Sequence, residues 1–225
     1  MTLSNSRRLP TRVSLAEDVY AVIVDMLMGH EMEPGQPFNI ESFARDLGIS
    51  PTPVREALAR AESEGLVTKQ QQRGFTVASL LTRQEAGQMA EIRMLLEPWA
   101  AARAATVATE DDKKTLVELA TVQPPTDAAL AYRQDMQRDA DFHDAIWELA
   151  GNHFIRESLV RMHCHLHMYR LFYSNELRGF AQREHDVVAR AIEAGDPVGA
   201  AQAMKDHIEI SFDRLGELAS SWKSG

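Results

Sequence analysis

A chain of 225 residues, 44% hydrophobic and 25% charged, has room for one large domain or two small ones and can bury a core without disulfide staples. Its single cysteine, Cys164, excludes an internal disulfide, and no apolar run approaches the ~18–20 residues that a membrane helix needs. The net charge of −9 divides into −2 through residue 78 (eight Lys/Arg against ten Asp/Glu) and −7 beyond it (16 against 23), which excludes a protein that meets nucleic acid through bulk basicity.

The first 13 residues are polar and basic and lack the apolar stretch of a secretory leader, so they read as a loose arm and the expected location is cytoplasmic. Leu15, Val19, Val22, Ile23, Met26 and Leu27 recur at three- and four-residue spacing, which predicts a helix over 14–28 ended by Gly29. Pro34-Gly35 marks a turn, and a short helix over 40–47 stops at Gly48. Ser50 reads as an N-cap, with Pro51 at the first helical position and Pro53 in the same turn, where missing N–H groups cost nothing. That helix runs to about residue 64 and Gly65 closes it. Two short strands, 66–69 and 75–78, flank the polar tip Gln70-Gln71-Gln72-Arg73-Gly74. Helix, helix, turn, helix, hairpin is the order of a winged helix-turn-helix.

In the third helix Val54, Ala57, Leu58 and Ala61 make the inward face, while Thr52 and Arg55 lie near its start and can point outward. Residues there meet base edges and phosphates when such a helix enters the major groove, and first-turn N–H groups can bind phosphate. Arg73 and the glutamines of the wing tip are placed to reach the flanking backbone. Taken alone, one arginine and one threonine also describe an ordinary solvated helix.

Beyond residue 82 the chain reads as helices only: 82–108, 110–121, 126–150, 153–175, 178–194 and 197–219, with Pro98 expected to kink the first. The expected architecture is therefore mainly α: an arm over 1–13, a winged helix-turn-helix over 14–78, and an all-helical bundle over 82–220. Asp139 and His143 are four residues apart and share a face with Ala140, Ile146, Trp147 and Ala150. His185 lines up with Val188, Ala189 and Ile192, and His207 with Met204, Ile208, Ser211 and Leu215. Four ligand-type side chains thus interrupt apolar stripes. Burying them unpaired costs several kcal/mol in total, which a divalent cation would relieve. One carboxylate and three imidazoles suit Zn, Ni, Mn or Fe, with Zn or Ni favoured, rather than Ca or Mg. The plainer alternative is a set of separately satisfied core histidines. His163 and His167 share a second face, but a surface pair is the simpler reading there.

Two stretches carry a resemblance. Pro34-Gly35, Phe43-Ala44-Arg45-Asp46-Leu47-Gly48-Ile49-Ser50-Pro51-Thr52-Pro53-Val54-Arg55-Glu56-Ala57-Leu58, Glu64-Gly65-Leu66-Val67 and Gly74-Phe75-Thr76-Val77 resemble the GntR family of transcriptional regulators. By that resemblance Ser50, Thr52 and Arg55 correspond to DNA-contacting positions and Gly74 belongs to the wing. Two residues depart from the family pattern: Pro51 stands where arginine is usual, and Glu41 where a basic residue is common.

Glu91-Ile92-Arg93, Leu96-Glu97-Pro98, Asp139-Ala140-Asp141-Phe142-His143, Gly151-Asn152, Glu184-His185, Gly195-Asp196 and Met204-Lys205-Asp206-His207 resemble the FCD effector domain of FadR-like members. The metal ligands of that domain would correspond to Asp139, His143, His185 and His207. Arg93 would lie near the pocket of a small carboxylate effector; its alternative is an intrahelical pair with Glu97. The resemblance implies a homodimer on an approximately palindromic operator, a repressor by default, and no catalysis. A metal-dependent hydrolase and a purely metal-responsive switch are the competing expectations.

Overall fold

The computed structural model describes residues 15–71, 74–121, 128–171 and 180–218. The expected arm over 1–13 lies outside them. The chain divides into two compact units, one ending at Ala78 and one beginning at Ser79.

In the first unit, α1 (Leu15–Met28) turns Val19, Ile23, Val24 and Leu27 inward. α2 (Ile40–Asp46) starts at Asn39, whose side chain accepts from the Ser42 N–H, and α3 (Pro51–Ser63) comes after a turn in which Gly48 takes φ 67°. That left-handed conformation is strained for residues with a Cβ, so glycine at 48 is what brings α3 so soon after α2. Ser50 is the N-cap residue of α3 in extended conformation, but its side chain makes no capping bond. Val54, Ala57, Leu58 and Ala61 are buried, and α3 packs against α1. A Tyr20 hydroxyl donating to Glu64, with Arg60 lying 3.8 Å over the Tyr20 ring, ties the far end of α3 to α1. β1 (Val67–Gln70) and β2 (Gly74–Val77) pair antiparallel in the register Val67 opposite Val77 and Gln70 opposite Gly74. An isolated bridge from Pro37 to Thr76 attaches the chain before α2 to the hairpin.

The second unit comprises α4 (Arg83–Val107), α5 (Glu110–Thr121), α6 (Ala128–Ala150), α7 (His153–Arg161), α8 (Cys164–Leu171), α9 (Phe180–Glu193) and α10 (Pro197–Leu218). A capping box between Thr82 and Glu85 starts α4, which runs on through Pro98. Ala100, Ala101 and Ala104 give α4 a buried face of small side chains, and α10 packs along this helix. Phe142, Ile146, Leu159, Val188, Ile192, Met204 and Ile208 fill the core between α4, α6, α7, α9 and α10.

The single helix expected over 153–175 is two. α7 ends at Arg161 with Met162 as its C-cap, and His163 takes φ 46°, a left-handed conformation that a right-handed helix cannot carry. The break re-phases the next helix: Cys164, His165 and Arg170 are buried on α8, while His163 and His167, a surface pair by the simpler sequence reading, are half-buried. No helix among the described residues is long and apolar enough to cross a membrane.

Candidate functional site: a buried carboxylate–imidazole cluster and an exposed reader helix

Asp139 and His143 on α6, His185 on α9 and His207 on α10 come together. One ligand atom from each lies within 4.8 Å of all the others, and the three histidines are buried. The His143 and His207 Nε2 atoms are 3.2 Å apart, and His185 Nε2 is 3.3 Å from Asp139 Oδ1. Both separations match the ~3.3 Å edge of a tetrahedron built on metal–nitrogen bonds of about 2.0–2.1 Å.

The outer contacts set the tautomers. His143 Nδ1 donates to Glu97 Oε2 at 2.6 Å, and His207 Nδ1 donates to Glu184 Oε2 at 2.9 Å. A carboxylate accepts, so the proton sits on Nδ1 in each ring and the two Nε2 lone pairs face one another. Such lone pairs repel unless a cation lies between them. His185 Nε2 is buried and has no hydrogen bond, its approach to Asp139 lacking hydrogen-bond geometry. Facing lone pairs, an orphaned ring nitrogen and one carboxylate fit a borderline divalent metal.

Electrostatics favour the same state. Burial holds the His143 pKa well below its ordinary value against the opposing pull of Glu97, and burial lowers His207 to about 4 despite Glu184. Both rings are therefore neutral at neutral pH, as metal ligation requires. Burial alone would raise the Asp139 pKa, but His165 and then His185 hold it well below the usual carboxylate range.

Arg93 and Glu97 sit beside this cluster on α4, both buried, joined by Arg93 Nε to Glu97 Oε1 at 2.5 Å. Arg93 Nη2 also reaches to 3.5 Å from His143 Nε2. Arg93 thus makes the intrahelical pair of the alternative reading, and it also stands beside His143. Sequence reasoning missed the outer roles of three residues. Glu97 is a carboxylate behind His143 as well as a partner of Arg93. Glu184 backs His207 and also accepts from Arg214. His165 donates from Nδ1 to Asp139 Oδ2 at 2.5 Å. Glu184 adjoins the cluster residue His185 in sequence, which is the one signal available for it; His165 carries none until the break at His163 is known.

These charges predict how the metal-free protein responds to pH. His207 has a folded pKa of about 4 against an ordinary 6.5, so between these values the unfolded chain binds the proton and the folded chain does not. Its stability contribution is full above pH 6.5 and lost toward pH 4, roughly 3 kcal/mol. His165 is opposite: burial resists its charge, but Cys164 and Asp139 outweigh burial and raise it to about 10. Its contribution is full below 6.5 and lost as pH rises toward 10. The melting temperature of chelator-treated protein should peak near pH 6.5, and a flat profile from pH 4 to 10 would contradict the assigned charges.

In the first unit Thr52 and Arg55 are exposed on the outer face of α3, together with Glu56 and Ala59. Arg55 is not a free cation: Nη2 donates to Glu41 Oε1 on α2 at 3.0 Å, with both side chains more than half exposed. Gly74 opens β2 at φ 76°, the positive φ that the wing turn requires. Arg73 lies outside the described residues.

A helix-turn-helix with a wing, joined to a helical unit with a buried carboxylate–imidazole cluster, defines a DNA-binding transcriptional regulator. Residues 15–77 match the bacterial regulatory proteins of the gntR family, and residues 88–210 match the FCD domain. The chain belongs to the gntR family, in the form that carries an FCD domain. It is 29% identical over 211 residues to the HTH-type transcriptional regulator McbR of Escherichia coli, covering 90% of this chain and 95% of that one. It is 23% identical over 210 residues to the HTH-type transcriptional regulator YdhC of Bacillus subtilis, covering 91% and 92%. The solved structure of E. coli McbR/YncC has the same fold, with TM-score 0.66 and 24% identity over 92% of this chain and 99% of that chain.

Proposed function

We propose that this regulator is a cytoplasmic homodimeric repressor whose hold on an approximately palindromic operator is controlled by a small carboxylate effector at a divalent metal. Asp139, His143, His185 and His207 would hold the metal, with Zn or Ni favoured over Mn and Fe. The observation that carries the reading is the convergence of those four groups, with lone pairs aimed at one another. The metal would supply a Lewis-acid anchor for a carboxylate oxygen. Arg93 keeps donors beyond those spent on Glu97 and would take the same carboxylate. Glu97, Glu184 and His165 hold the ligating rings and Asp139 in orientation. By linkage, the effector releases DNA only if it binds the DNA-free form better. The site is proposed as a sensor and not a catalyst, because the chain belongs to a family of transcriptional regulators.

The Arg93–Glu97 pair also favours a second reading, a switch that responds to metal alone, since the guanidinium already has a carboxylate partner. Elemental analysis of purified full-length chain should find about one metal per protomer, and His207→Ala should remove most of it. Thermal shift and gel shift with a panel of small organic acids then separate the readings. An acid that stabilises the metal-loaded protein and releases DNA supports the effector; none doing so leaves the metal switch. Full metal occupancy in His207→Ala would take that residue out of the site.

A further inference from the structure

We infer that Glu41 is a specificity-determining residue of the DNA reader. It holds the Arg55 fork toward a base edge and cancels the charge that would otherwise let Arg55 settle on any phosphate. The inference rests on α3 being the helix that enters the groove.

Four cations lie among the described residues of the first unit, Arg45, Arg55, Arg60 and Lys69, against ten acids. Arg60 is spent on Glu64 and the Tyr20 ring, and Lys69 lies 5.7 Å over the Phe75 ring. On the exposed face of the first two turns of α3, which presents Thr52, Arg55, Glu56 and Ala59, Arg55 is the one cation among the described residues. Pro51 adds no charge at the helix start. That face of α3, with Arg55 its one cation among the described residues and Glu41 paired to it, gains little from phosphate neutralisation, which supplies most sequence-independent affinity. Its selectivity therefore falls on a few base contacts, and arginine is the side chain that reads guanine O6 and N7 with two N–H groups at once.

An exposed arginine on its own samples many rotamers and pairs as readily with phosphate as with a base. Glu41 changes both. Its carboxylate takes one Nη2 hydrogen at 3.0 Å and leaves four donors of the guanidinium free. It comes from a different helix, fourteen residues away in sequence, so the direction of the fork is fixed by the α2–α3 packing and not by the arginine rotamer alone. A carboxylate at this place is repelled by phosphate. The paired fork is then worth keeping only where a guanine edge accepts from it. As an exposed ion pair it contributes little to folding stability, which points to a task at the interface.

The test uses the full-length chain with a library of randomised duplexes. Wild-type, Glu41→Gln and Glu41→Ala proteins are each carried through selection, and the affinity of each for random duplex is then measured against salt. The wild-type chain should enrich guanine strongly at one position in each half-site. Both variants should flatten that position to a few-fold preference while the rest of the motif persists. Their affinity for random duplex should rise several-fold, and the slope of log K against log salt should steepen by about one per protomer. An unchanged guanine preference with an unchanged slope would overturn the role of Glu41 while leaving the reader intact. A wild-type chain that enriches no sequence would overturn the reader, and this inference with it. Unaltered melting temperatures separate these outcomes from misfolding.

Discussion

Replacing Glu97 by alanine is expected to destabilise the helical unit by about 3–5 kcal/mol and to weaken metal binding roughly 10–100-fold. Glu97 is fully buried and accepts from both Arg93 and His143. Burial by itself would raise its pKa, yet Arg93 and His143 hold it below the ordinary carboxylate range, so the group is an anion buried away from bulk solvent. Its removal strands the Arg93 guanidinium, which is itself buried and can neither shed its charge nor reach solvent. It also frees His143 Nδ1, so nothing keeps the ring proton off Nε2, the nitrogen that faces His207. Glu97→Gln separates the two losses. Its amide oxygen can still accept from His143, but the counter-charge to Arg93 is gone. Most of the stability loss should persist in Glu97→Gln while metal affinity partly recovers. Thermal melts of the metal-free variants measure the first effect, at ~2–4 °C per kcal/mol in melting temperature, and metal titration measures the second. Equal stability of wild type and Glu97→Ala would mean that Arg93 has another buried partner and that the Arg93–Glu97 pairing is wrong.

How legible the molecule is from its sequence differs between its levels. Long periodic stripes announce α1, α3 and α10, because a helix that must bury one face leaves that face in the spacing of its apolar residues. The inward polar set is legible for the same reason: Asp139, His143, His185 and His207 stand where stripes demand apolar groups. Their meeting at one point is not written in any single stripe; only the packing of α4, α6, α9 and α10 supplies it. His165 is illegible because one residue, His163 at φ 46°, shifts the phase of the whole helix after it. In the sequence Glu41 reads as the loss of a basic residue. Its pairing with Arg55 depends on the α2–α3 turn, which no spacing rule between residues fourteen apart can express.

Arg55→Ala should lower affinity for the selected operator by about 30-fold or more. One two-pronged contact to guanine is worth about 1–3 kcal/mol, and a two-fold dimer loses it in both half-sites. Folding should be almost untouched, since the side chain is exposed and its ion pair with Glu41 is of the kind that contributes little. The substitution has a further consequence that simple loss of a contact does not predict. Glu41 is left without its cation and faces the negative surface of the duplex. Part of the lost affinity is therefore repulsion. In the double variant Arg55→Ala/Glu41→Ala that part should return, so affinity rises above that of Arg55→Ala alone while the preference for guanine stays lost. Gel shifts at one fixed salt concentration, on the selected operator and on a duplex with the guanine replaced, close this double-mutant cycle. Additive effects would show that the two side chains act separately on DNA. An operator affinity unchanged by Arg55→Ala would remove the start of α3 from the interface altogether.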